Sequence, residues 1–299
     1  MSKNPTTIPR RQLGRQLREL RQAVGLSLAD AARLIERGTG TLQRLEKGEN
    51  PRIRQLDIEA LCKLYSVPDE RLHQLKALAA QADRRSRPVD ESHWWTRYED
   101  LIPAEFETYM SLEMAAERMI TYQPDTVPGI VQTADYARAL NRVFFSSDTA
   151  MELEQRVQVR MQRQTAITRR LSPLEVDLLI DEAALRRIAG SGKIMASQLR
   201  RLADTPSNVT VRVVPFGGGF PLGGHIGPFV ILDFPVDTAT DEPVEPSTVY
   251  VESYGSRIYY DSDVDVARYR DAYARIGRIA LNEADTKHLL RCAAKEFDA

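Results

Sequence analysis

Residues 26–48 read Leu26-Ser-Leu-Ala-Asp-Ala-Ala-Arg-Leu-Ile-Glu-Arg-Gly-Thr-Gly-Thr-Leu-Gln-Arg-Leu-Glu-Lys-Gly48. Ser27 is a good helix N-cap, and Ala31, Ala32 and Ile35 share one face of a helix running from Leu28 to about Ile35. A second helix spans about Thr39–Lys47, with Leu42 and Leu45 as its inward pair, and Gly48 ends it at the left-handed C-terminal position. A preceding helix, Arg10–Val24, carries Leu13, Leu17, Leu20 and Val24 at helical spacing and stops at Gly25. Pro5 and Pro9 keep residues 1–9 irregular, and Pro51 marks a loop. Helices over Leu56–Tyr65 and Glu70–Ala82 complete a unit of five.

Two short helices joined by a tight turn form the helix-turn-helix pattern, in which the second helix enters the major groove of DNA. Charge agrees with that reading. Residues 1–87 hold 18 Lys/Arg against 10 Asp/Glu, whereas the remainder holds 23 against 32. A basic first third suits a polyanionic partner, and an acidic remainder would be repelled by one. The two cysteines, Cys62 and Cys292, lie far apart and form no CxxC pair, which argues against a disulfide framework or a zinc site and fits a reducing cytosol. No apolar run reaches the roughly 18 residues of a membrane span, and the amino terminus lacks a signal-peptide pattern, so a cytoplasmic protein without membrane contact is expected.

The order Arg21-(x)4-Leu26-Ser-Leu-(x)2-Ala-Ala-(x)9-Leu42-Gln-Arg-Leu-Glu46-Lys-Gly48-(x)2-Pro51 resembles the Xre/Cro/C1-type helix-turn-helix family over about residues 10–80. The resemblance implies an ion pair between Glu46 and Arg21, which would keep a carboxylate from repelling DNA and fix the angle between two helices. It also implies dimers that read a palindromic operator of double-stranded DNA with recognition helices one turn apart. Base readout is expected from Thr39, Gly40, Thr41, Gln43 and Arg44, since Gln suits adenine edges and Arg suits guanine. Phosphate contacts are expected from Arg10, Arg11, Arg37, Lys47, Arg52 and Arg54. Leu28 stands where the family usually has Gln, and Glu36-Arg37 replaces its usual Gly-apolar turn pair.

Residues 83–92 are polar and without periodicity, and read as a linker between a domain over 1–82 and another over 93–299. The second domain opens with an amphipathic helix from His93 carrying Trp94, Trp95, Tyr98 and Leu101. Strands are expected at Phe106–Leu112, Arg118–Tyr122, Val176–Ile180, Val209–Val214, Phe229–Phe234, Thr248–Glu252 and Ile258–Tyr260. Helices are expected after the caps Thr133, Thr149, Asp181 and Asn282, the second running to Arg170, with others over Lys193–Leu202 and Val264–Ala280. The fold class is therefore multi-domain: an all-α five-helix helix-turn-helix domain, then a mixed α/β domain with a central sheet covered by helices.

The motifs Trp94-Trp95-(x)2-Tyr98-Glu-Asp-Leu-Ile-Pro103, Val127-Pro-Gly-Ile-Val-Gln-Thr-Ala-Asp-Tyr-Ala137 and Asp181-Glu-Ala-Ala-Leu-Arg186 resemble the uncharacterised domain that follows an Xre-type helix-turn-helix in many actinobacterial regulators. That domain is also described as a Scr-type toxin–antitoxin-like antitoxin domain, and the resemblance implies a small partner protein. Three readings of the domain stand. As a receptor for a small-molecule effector or a partner protein, it would use Trp94, Trp95, Tyr122, Gln132, His225 and Glu252; core packing of the aromatics and a solvated loop for His225 are the ordinary alternatives. As a dimerisation module, it would use the helices over 149–170 and 264–280. As an enzyme, its element order resembles phospholipase D-like folds, but Gly227 occupies the lysine position of the His-x-Lys motif and no other catalytic motif occurs. Neither an enzymatic activity nor a cofactor or metal is expected.

Overall fold

The computed structural model describes residues 7–50, 52–83, 91–98, 100–237 and 242–298. The chain divides into two compact units, Met1–Leu112 and Glu113–Ala299. Most of the expected linker, residues 84–90, and Pro51 lie outside the described residues.

In the first unit, α1 (Ile8–Ala23), α2 (Leu28–Leu34), α3 (Thr39–Glu46), α4 (Gln55–Leu64) and α5 (Asp69–Ala82) close around one core. Leu13, Leu17, Ala31, Leu42, Ile58 and Leu61 are each almost wholly buried there. Ser27 caps α2 by accepting from Asp30 N at 3.1 Å. Gly25 and Gly48 both take φ of +70°, the left-handed conformation that ends α1 and α3. Gly14 is needed for another reason: a Cβ there would sit 2.6 Å from the carbonyl oxygens of Leu45 and Glu46, so α1 and α3 approach closely because it has none. Leu28 packs against the core, which accounts for an apolar residue at that position. Glu36 stands in the turn after α2 at φ +54°. The turn therefore keeps its left-handed residue without a glycine, at a cost of about 1–2 kcal/mol.

Glu91–Tyr98 forms a 3₁₀ helix rather than the amphipathic α-helix expected from His93. Phe106–Leu112, expected as a strand, lies inside α6 (Ala104–Ala115). Residues 108–113 are all buried, so the run carries no polar face to mark the helical period.

The second unit is built on a six-stranded sheet. Its strands are β1 (Arg118–Gln123), β2 (Glu175–Asp181), β3 (Val209–Val214), β4 (Phe229–Asp233), β7 (Thr248–Ser253) and β8 (Ser256–Tyr260), in the order β3-β2-β1-β4-β7-β8. A two-stranded pair, β5 (Val236–Asp237) with β6 (Glu242–Pro243), stands apart from it. β1, β2 and β3 run parallel, with Met119 opposite Val176 and Leu178 opposite Val211. β4 is antiparallel to β1, and β7 to β4, so β7 runs the same way as β1. Parallel pairing requires crossovers, and helices supply them. α7 (Ala134–Phe144), α8 (Ala150–Arg163) and α9 (Thr165–Thr168) link β1 to β2; α10 (Glu182–Arg186) and α11 (Gly192–Ala203) link β2 to β3; α12 (Asp263–Gly277) and α13 (Glu283–Asp298) follow β8.

The helix starts follow local chemistry. Thr149 and Glu152 form a reciprocal capping box on α8. Asp181 caps α10 through Ala183 N at 2.9 Å, and Asn282 caps α13 through Asp285 N at 2.9 Å. The helix expected over 149–170 is interrupted after Arg163. There the Gln164 amide donates to the carbonyls of Gly129 and Gln132, at 3.1 and 2.7 Å. One ion pair of the unit is nearly dry. Arg163 forks onto Glu113 with two bonds of 2.7 Å, and Glu113 is fully buried.

Candidate nucleic-acid interface

The second helix of the motif presents its first half outward. Thr39, Gly40, Gln43 and Arg44 are exposed and Thr41 is half-buried, while Leu42, Leu45 and Glu46 face the core. The two helix starts of the motif differ. Ser27 closes the start of α2, but Gly38 at the start of α3 supplies no side-chain acceptor. The Thr41 and Leu42 amides bond the Gly38 carbonyl at 2.8 and 3.2 Å, which leaves those of Thr39 and Gly40 for an outside acceptor, and a helix start of this kind favours an anion.

What holds α3 in place is an ion pair with α1. Arg21 Nε donates to Glu46 Oε1 at 2.7 Å and Nη2 to Oε2 at 3.0 Å, and Nη1 also reaches the Leu26 carbonyl at 2.8 Å. The hydrogen bond to Glu46 raises the pKa of Arg21, and burial opposes it. The carboxylate is 5% exposed, so its charge is spent on Arg21 rather than shown to solvent.

The expected phosphate contacts separate by structure. Lys47, Arg52 and Arg54 are exposed around the end of α3 and the loop beyond it. Arg11 is half-buried. Arg37 gives its charge to Asp57, with Nη2 at 2.7 Å from Oδ1, and that hydrogen bond raises its pKa. Arg10 is corrected: it is 2% exposed and its Nε donates to the Ala82 carbonyl at 2.8 Å, so it ties α1 to the end of α5 and cannot reach a phosphate.

Of the six residues expected to make a receptor pocket, Gln132 and Glu252 both stand near Arg160 in the second unit, to which Tyr122 and His225 also belong. Trp94 and Trp95 belong to the first unit, are 6% and 4% exposed, and meet edge to face at 5.7 Å, the core packing that was the ordinary alternative for the aromatics. Tyr122 is buried in the sheet, 6.1 Å from the ring of Phe229, and burial pushes its pKa up to about 12. Gln132 is buried and works within the fold, donating to the Val127 carbonyl at 2.5 Å and accepting from Arg160 at 2.7 Å. Glu252 accepts from Arg257 at 3.0 Å. His225 alone stands exposed, in the loop that enters β4. Sequence reasoning passed over Arg160, although Arg156, Arg160 and Arg163 recur at the spacing of one helix face.

Among the described residues no helix is long and apolar enough to cross a membrane, and no group of three or more His, Cys, Asp or Glu is placed to hold a metal ion. Residues 12–75 match a helix-turn-helix domain, and residues 106–292 match a domain of unknown function, DUF5753. No curated protein and no solved structure matches the chain. A helix-turn-helix domain ahead of a mixed α/β domain is the architecture of a DNA-binding regulator. The chain belongs to the DUF5753 family.

Proposed function

We propose that the protein is a cytoplasmic, homodimeric transcription regulator of Xre type, and that its domain over 93–299 receives a small-molecule effector or an antitoxin-like partner protein. The single observation that carries the DNA-binding part is the outward half of α3, clamped to α1 by the Arg21–Glu46 fork and left uncapped at its start. In this reading Thr39, Gly40, Thr41, Gln43 and Arg44 face base edges in the major groove. Lys47, Arg52 and Arg54 meet phosphates on either side, with Arg11 and Arg37 in supporting positions.

One recognition helix reads too few base pairs for selective binding, so two copies on a palindromic operator are required. Regulation rather than catalysis suits the second domain, because no catalytic constellation accompanies its sheet in the sequence. The test is a footprint of the full-length protein on its own promoter. Two protected half-sites one helical turn apart are expected, and Gln43→Ala should relax the preference at one base pair of each. Binding that survives removal of residues 1–82 would refute the proposal.

A further inference from the structure

α8 carries three arginines on one face, and two of them have carboxylates. Arg156 Nε lies 2.6 Å from Asp148 Oδ2, and Arg163 forks onto Glu113. Arg160 differs. Its hydrogen bond goes to a neutral amide, Nη1 to Gln132 Oε1 at 2.7 Å, and among the described residues no carboxylate lies within ion-pair distance. Glu252 is near enough to favour its charge, but that carboxylate is held by Arg257 at 3.0 Å. Burial first, and the positive charge of Arg163 second, push the Arg160 pKa down to about 10. A guanidinium has five N–H donors, so the site holds surplus positive charge and unused donors.

The surroundings of Arg160 are fixed. Gln132 Nε2 donates to the Val127 carbonyl, which turns Oε1 toward Arg160, and Gln164 locks the same turn through the carbonyls of Gly129 and Gln132. A Cβ at Gly129 would lie 3.3 Å from Arg163 Nη1 and 3.7 Å from Arg160 carbons, so the turn rests directly on the two arginines. The position is also telling. The turn Gly129–Val131 follows the carboxyl end of β1, and Glu252 stands near the carboxyl end of β7, which runs the same way. Strand order reverses at β1, with β2 and β3 on one side and β4 on the other. The carboxyl ends of β1 and β7 thus flank the amino end of antiparallel β4, on the side of the sheet where open parallel sheets bind their ligands.

We propose that Arg160 anchors an oxyanion site in the second unit, taking a small ligand that bears a carboxylate or a phosphate. The proposal deepens the effector reading given above and rests on it for its consequence, the regulation of DNA binding. The experiment compares thermal melts of the full-length protein in inorganic phosphate, in citrate and in chloride at matched ionic strength. A ligand bound only by the folded state raises Tm. Tm is expected to rise above the chloride value in phosphate, in citrate or in both, and the arm that responds identifies the class of oxyanion.

Arg160→Met should lose the site-specific part of the rise and keep only the general increment that excluded salts give a folded protein. Glu252→Gln, which removes a repelling charge, should tighten binding several-fold, and this arm stands even if Arg160→Met does not fold. Identical melts in the three salts, a rise as large in Arg160→Met as in the unaltered protein, or unchanged affinity in Glu252→Gln would each overturn the site. A promoter footprint in the same buffers reads the regulator separately. A footprint without an anion response defeats the site alone, and an anion response without a footprint defeats the DNA-binding reading alone.

Discussion

The two units differ in where their unpaired cations gather. In the second, arginines are met by acids: Arg138 by Glu154, Arg156 by Asp148, Arg163 by Glu113, Arg257 by Glu252 and Arg270 by Asp233. In the first, Arg21 and Arg37 are consumed in the same manner. Lys47, Arg52 and Arg54 instead stand exposed beside α3, and among the described residues no carboxylate pairs with them. The segregation visible along the sequence is thus sharpened by pairing. Many arginines of the second unit are paired with its own acids, while the first unit leaves Lys47, Arg52 and Arg54 facing outward around one helix. Unpaired exposed cations beside an uncapped helix start are what a polyanion requires.

The strongest way to break this comparison is to disturb a buried pair in the second unit. Glu113→Ala strands Arg163 away from water, and such a loss costs about 3–5 kcal/mol. Chemical denaturation followed by a probe of that unit should show it. A cost near zero would mean that the pairing there is incidental. The corresponding change in the first unit is Glu46→Ala. Its partner Arg21 is 12% exposed and keeps the Leu26 carbonyl, so the expected loss is smaller, about 2–3 kcal/mol. It should also weaken promoter binding, because α3 loses its brace against α1. Full stability in that variant would show that Gly14 and the apolar contacts suffice to seat the helix.

The exposed set makes a different kind of prediction, one in which stability is unmoved. Gln43→Ala should lose about 1–3 kcal/mol of discrimination at one base pair. Arg52→Ala should weaken binding to all sequences alike and lower the salt slope by about 0.9, with the melting curve unchanged. Binding isotherms over a range of salt distinguish the two. An Arg52→Ala variant with the original slope would place Arg52 off the phosphate path and narrow the outward set to Lys47 and Arg54.

How much of this was legible beforehand depended on how local each cause is. Ser27, Gly25 and Gly48 act within one turn of chain, so the helices of the motif could be placed from sequence. The parallel strands could be located too, because Val176–Ile180 is a short apolar run ending at the cap Asp181 and Val209–Val214 is a run rich in β-branched residues between Pro206 and Pro215. α6 could not, since Thr108 to Glu113 are buried regardless of face and Glu113 is held by a residue 50 positions away. The break after Arg163 has the same origin, because Gln164 answers to carbonyls more than 30 positions earlier in the chain. Among the site residues, Arg10 and Lys47 look alike in the sequence. Only the packing of α1 on α5 makes the first an internal tie.

The smallest expected effect is the most discriminating for the recognition helix itself. Gly40 lies in the first turn of α3, where glycine costs about 1 kcal/mol relative to alanine. Space does not demand it: an added Cβ would meet Arg44 Nη1 at 3.6 Å, an ordinary contact. Gly40→Ala should therefore raise the stability of the first unit by about 1 kcal/mol. If the backbone at Gly40 approaches the groove, as the outward set requires, the same methyl group pushes the helix off its bases and promoter affinity falls. A more stable protein that binds less well would locate the point of closest approach at Gly40. A gain in stability with affinity retained would move that point along the helix to Gln43 and Arg44, whose longer side chains reach the bases without it.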